Sequence, residues 1–98
     1  MQTYQKQPDE REYIAIDFVN RLSDNETLSS VSVKCYDSDG NDVSSDMVES
    51  PTVSGTQVKV WIKDGTDGEN YYLKVLATTS TGAILEGDLL IVVREIGK

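Results

Sequence analysis

"YYLKVLATTSTGAILEGDLLIVV", residues 71–93, is the stretch whose reading decides the fold. Tyr71, Leu73, Val75 and Ala77 alternate with Tyr72, Lys74, Leu76 and Thr78. That period of two, in β-branched and aromatic residues, is the pattern of a half-buried strand. "STG", Ser80 to Gly82, supplies turn residues, and "LLIVV", Leu89 to Val93, supplies a returning strand. The pair reads as a hairpin. Two earlier runs agree: "VSVKC" sets Val31, Val33 and Cys35 against Ser32 and Lys34, and "VKVWI" sets Val58, Val60 and Ile62 against Lys59 and Trp61. Lys34, Lys59 and Lys74 all fall in the outward slots.

Working outward, "REYIAIDF" predicts an earlier strand with Ile14, Ile16 and Phe18 on one side. Pro51 and "SGT" at Ser54 to Thr56 predict a short strand and hairpin around Thr52-Val53. Ser23 to Glu26 has the form of a helix capping box, but the β-branched chain after it allows one turn at most. About seven short strands with regular turns predict an all-β protein, an immunoglobulin-like antiparallel β-sandwich. A small barrel is the alternative closure. Residues 11–98 are expected to form this single domain, and residues 1–10, which are polar, a flexible N-terminal tail.

Composition restricts the chemistry. The chain has 98 residues, no histidine and one cysteine. An intrachain disulfide is impossible, and so are a Ser-His-Asp or Cys-His catalytic arrangement and a histidine-bearing zinc site. Cys35, at core parity, reads as a buried inert thiol. "GTDG" lacks the continuation of a phosphate-binding loop. The net charge of −8 argues against nucleic acid and anionic membranes as partners and suits a basic protein partner. No apolar run marks a signal peptide or a membrane span.

"YDSDGNDVSSDMVES", Tyr36 to Ser50, carries five acidic residues and raises the question of calcium. An EF-hand-like loop started at Asp37 places Asp42 where glycine is needed and Val48 where glutamate is needed. Started at Cys35, it places a thiol in the first ligand position. Both registers fail, and "DG" reads as a tight turn. "KDGTDGEN" gives the same answer. No cofactor and no metal is expected.

Three features point to surfaces. Tyr71 opens a strand at inward parity and resembles the tyrosine corner of immunoglobulin-type sandwiches, a structural role. Trp61 lies on the outward face between Lys59 and Lys63, and its bland reading is a ring packed under a loop. In the last strand, Leu90 and Val92 share parity with Glu86, Asp88 and Arg94 and should face outward, as should Tyr72 and Leu76 of the strand before it. Trp61, Tyr72, Leu76, Leu90 and Val92 are therefore the candidate contact residues. The alternative is that the N-terminal tail or a bulge covers these residues, or that a register shift turns Leu90 and Val92 inward.

"IDFVNRLSDNETLSSVSV" followed by "VSGTQVKVWIKDGTDGENYYLKVLATTSTGAILEGDLLIVV" resembles small tail-associated proteins of tailed bacteriophages, the phage fiber-tail adaptor-like family. The likeness spans about residues 13–93, with "SGTQVKVW" and "GTDGENY" its most specific parts. These are turns and core strands and carry no catalytic motif. The resemblance implies a β-sandwich with a non-enzymatic structural role in tail or neck assembly. It implies protein contacts with other virion proteins or a second copy of the chain. It also implies a virion component made in the bacterial cytoplasm. The alternative function is an extracellular adhesion or carbohydrate-binding immunoglobulin-like module. That would bring a secretion signal or tandem copies, both absent from this chain, or exposed coplanar aromatics. A hydrolase built on a carboxylate pair is the enzyme alternative, and no loop residues converge by spacing to support it.

Overall fold

The structure, a computed structural model, describes residues 2–96. Seven strands follow one another: β1 (Gln2–Lys6), β2 (Glu12–Asp17), β3 (Leu28–Asp37), β4 (Val48–Ser54), β5 (Gln57–Ile62), β6 (Asn70–Thr79) and β7 (Ile84–Val93). A 3-10 turn, Val19–Arg21, follows β2, and a one-turn helix, α1 (Ser44–Met47), precedes β4. The strands form two sheets, one in the order β1-β7-β6-β3 and the other in the order β2-β5-β4. Every strand pair is antiparallel except β1 with β7. This order matches the immunoglobulin arrangement, with β2, β5 and β4 as one sheet and β3, β6 and β7 as the other.

The alternation that predicts the strands also fills the core. Val58, Val60 and Ile62 of β5 are buried, as are Tyr71, Leu73, Val75 and Ala77 of β6. Val33 and Cys35 of β3 and Leu89, Ile91 and Val93 of β7 meet them from the four-stranded sheet, and Ile14 and Phe18 from the other side. Burial of the Cys35 thiol pushes its pKa up to about 12, which leaves it protonated and inert as expected. The capping-box segment makes a single turn: the Glu26 carboxylate accepts the Ser23 N–H at 2.9 Å, and no helix follows.

Two differences from expectation are physical. Residues 2–6 are not a loose tail but the parallel edge strand β1, registered Gln2↔Leu89 to Lys6↔Val93. Lys6 is 1% exposed, and its ammonium donates to the carbonyls of Gln7, Pro8 and Asp64. Desolvation lowers its pKa. The aliphatic stem packs at the core edge while the charge finds carbonyl oxygens, and Tyr4 packs against the core beside it, so a mostly polar segment is anchored.

The second difference is that β7 begins at Ile84, ahead of the expected Leu89. Its Glu86-Gly87-Asp88 centre is poor in β propensity, yet it pairs with Leu76, Val75 and Lys74. Gly87 lets the Phe18 ring pack close to the strand, since a Cβ there would sit 3.1 Å from it.

Candidate functional site

Tyr71 lies at the start of β6, and its hydroxyl accepts the Thr66 N–H at 2.9 Å. This is the expected tyrosine corner, clamping the β5–β6 loop. Gly65 completes the clamp. Its φ is +94°, and a Cβ there would lie 2.9 Å from Val93 Cγ2. The loop is a structural joint.

The acidic stretch folds as a turn too. The Asp37 carboxylate accepts the Asp39 and Asn41 N–H groups, both at 2.9 Å, and the Asn41 amide at 3.1 Å. These bonds hold its pKa below the usual carboxylate range, the Asn41 backbone bond contributing most. Asp42 is lowered likewise by the Ser44 hydroxyl and N–H. Among the described residues no group of three or more His, Cys, Asp or Glu side chains could hold a metal ion. Asp39, Asp46, Asp64 and Glu69 do line one open, acidic concavity at this end of the sandwich.

The candidate contact residues separate into two faces. β6 and β7 pair Tyr72↔Leu90, Asn70↔Val92, Lys74↔Asp88 and Leu76↔Glu86. Leu89, Ile91 and Val93 are buried, so Leu90 and Val92 point away from the core, as their parity predicts. Tyr72 is 43% exposed. One row across the sheet therefore reads Tyr36, Tyr72, Leu90, Thr3, because Tyr36 pairs with Tyr72 and Thr3 with Leu90. Val92 lies diagonal to it in the next row, between Gln5 and Asn70. Leu76 shares the face but lies beyond the charged row Lys34, Lys74, Asp88. Tyr36 did not figure among the expected contacts. Carrying the alternation of Ser32 and Lys34 one step further would have found it.

Trp61 is on the opposite side of the molecule, on the outer face of the three-stranded sheet. It pairs with Tyr13, ring centroids 4.7 Å apart, and with Glu49. The Arg11 guanidinium sits 3.9 Å from its ring centroid and pairs with the Glu49 carboxylate at 3.2 Å. Lys63 approaches the same carboxylate at 3.7 Å. Arg11 is the main cause of the lowered Glu49 pKa. Residue 11, from the β1–β2 connection, thus covers Trp61, in line with its bland reading.

The assignment comes from comparison of the whole sequence. The family profile described as podophage GP4 fiber-tail adaptor protein gp77 matches residues 6–92. This chain belongs to that family. The match includes β2 to β6 whole and nearly all of β7, so it covers both sheets and the row through Tyr72 and Leu90. No curated protein matches the chain. Among solved structures, CopC from Methylosinus trichosporium OB3b is similar at a TM-score of 0.70 and 16% identity, covering 100% of this chain and 89% of that one. At that identity the likeness concerns the sandwich fold alone. The phage tail adaptor family and the two-sheet fold agree with the resemblance read from the sequence. Among the described residues no helix is long and apolar enough to cross a membrane.

Proposed function

We propose that this protein is a non-enzymatic structural adaptor of the phage tail that joins neighbouring virion proteins through the outer face of its four-stranded sheet. The observation that carries this is the outward-facing row Tyr36, Tyr72, Leu90, with Val92 beside it, in which Tyr72 is exposed and the other three are half-buried. Apolar and aromatic side chains that stand together on a sheet face, with charged residues around them, have the make-up of a contact centre with a polar rim. Asp88, Lys74 and Arg94 supply that rim. Trp61 is not part of this face, and Leu76 is peripheral to it.

The net charge of −8 makes a basic partner more favourable than a second copy, whose like charge would repel. The same charge and fold support a role without nucleic acid, membrane or small-molecule substrate, in a component made in the bacterial cytoplasm and carried in the virion.

The test is incorporation into tails. Leu90→Asp is expected to fold with nearly the wild-type melting temperature and to be missing from assembled particles. Leu76→Asp should impair incorporation less. A folded Leu90→Asp protein that enters tails at the wild-type level overturns the docking face.

A further inference from the structure

The four sheet edges are not equally protected. In β4 the ladder is interrupted between Glu49 and Thr52, around Pro51 and a Ser50 with φ +50°. The edge strand β3 carries a register shift at Leu28/Ser30 and packs beside β4. Proline, bulges and coverage are the usual ways of closing an edge to further pairing. β2 has neither a proline nor a bulge, and β1 runs beside it without pairing to it. Its register with β5 runs unbroken from Glu12↔Ile62 to Asp17↔Gln57.

The Phe18 N–H donates to the Thr56 carbonyl at 2.9 Å, which sets the phase of that ladder. By antiparallel alternation, Ile14 and Ile16 bond to β5, and Tyr13, Ala15 and Asp17 present their N–H and C=O groups at the open edge. Among the described residues no backbone bond runs from Tyr13, Ala15 or Asp17 to a loop or to another element.

A cleft runs along this edge, between β2 and the first residues of β1. Its two halves share Gln2, Ala15, Ile16 and Leu89, and Phe18 and Val75 extend its apolar floor. In a constant-type immunoglobulin sandwich the sheet of β2, β5 and β4 has a further strand beside the one equivalent to β2. Here β1 pairs with β7 instead, and that position is open. Asp17 and Asp88 flank the cleft. Arg21, the one cation among the described residues that line it, has its guanidinium turned to the Glu86 carbonyl at 2.8 Å.

We infer that the β2 edge accepts an extended segment of another protein as an added strand. The segment would alternate apolar side chains, set on Ile16, Leu89 and Phe18, with basic ones facing Asp17 and Asp88. Main-chain bonds to Tyr13, Ala15 and Asp17 would hold it, as in β-strand addition generally. A second copy of this chain does not suit the position, because the rim and the whole chain are acidic. The inference rests on the adaptor reading only for the source of the strand; the capacity of the edge does not depend on it.

The probe is a short synthetic peptide alternating valine and lysine, titrated into the full-length protein by NMR. Binding should protect the Tyr13, Ala15 and Asp17 amides from exchange and should exceed that of a valine–glutamate peptide. Ala15→Pro removes one edge donor while sparing the ladder to β5, and should weaken the peptide on the order of tenfold. Should that variant fail to fold, the same peptide N-methylated at alternate residues takes its place. No binding, equal binding of the acidic peptide, or binding indifferent to both modifications overturns the inference. Leu90→Asp should leave peptide affinity unchanged, so the outer-face reading and this one fail separately.

Discussion

The two outer faces of this sandwich carry the same kind of residue in different circumstances. On the three-stranded sheet, the Trp61 and Tyr13 rings touch at a tilt of 39°, and Arg11 lies over Trp61 and is held by Glu49. On the four-stranded sheet, Tyr72 and Leu90 are cross-strand neighbours, Tyr72 exposed and Leu90 half-buried. Alternation puts all of them outside the core. It does not say which are already occupied by the protein's own side chains. Arg11 occupies the Trp61 ring on one face, where Tyr13 stays 48% exposed, and the other face is the one proposed for a partner.

The sharpest way to break this comparison is across one strand. Ile91→Ala, on the inner side of β7, should cost about 2–5 kcal/mol in chemical denaturation, the range for a buried aliphatic side chain. Leu90→Asp, one residue away, should stay within about 0.5–1 kcal/mol of wild type. Similar losses at both positions would mean that Leu90 is part of the core. Tyr71→Phe tests the corner that fixes the ends of both sheets. It leaves the Thr66 N–H without its partner and should cost about 1–3 kcal/mol.

The occupied face is probed by Arg11→Ala. Loss of the cation over Trp61 and of an exposed ion pair should lower stability by about 0.5–2 kcal/mol and alter the tryptophan fluorescence. Tyr72→Ala, on the open face, should change melting by less.

The smallest effect is in acid. Hydrogen bonds from Thr81 and Ser23 hold Glu26 at about 2, below its unfolded value. A depressed folded pKa gives stability that is full above the unfolded value and is lost as pH falls through the folded one. Glu26→Gln should therefore flatten the acid limb of a melting-temperature titration between about pH 4.5 and 2. An unchanged limb would remove Glu26 as a contributor.

Much of this was legible in the chain. β3, β5 and β6 announce themselves because every second residue is β-branched, aromatic or aliphatic. The outward placement of Tyr72, Leu76, Leu90 and Val92 follows from the same count. Parity names a face without naming the sheet, however, and Trp61 belongs to the other sheet because of strand order, which is set by long-range pairing. β1 was illegible for a different reason. "QTYQK" carries one aromatic residue among polar ones, and what fixes it is Tyr4 packed against the core, the ladder to β7, and an ammonium meeting three carbonyls, two of its own connection and one from residue 64. The first half of β7 was hidden by Glu86, Gly87 and Asp88, whose strand state depends on β6 and on the Phe18 ring.

β1 pairs with β7, and this has a consequence for the order of folding. Gln2 is registered with Leu89, so β1 takes as its partner the strand farthest from it along the sequence. Closing a loop of nearly the full chain is slow relative to forming the β6–β7 hairpin, whose ends are neighbours in sequence. The hairpin therefore precedes β1 in assembly, and until β1 docks the β7 side of the sheet remains an unpaired edge. Docking of β1 is the step that ends that exposure, and Lys6 locks it.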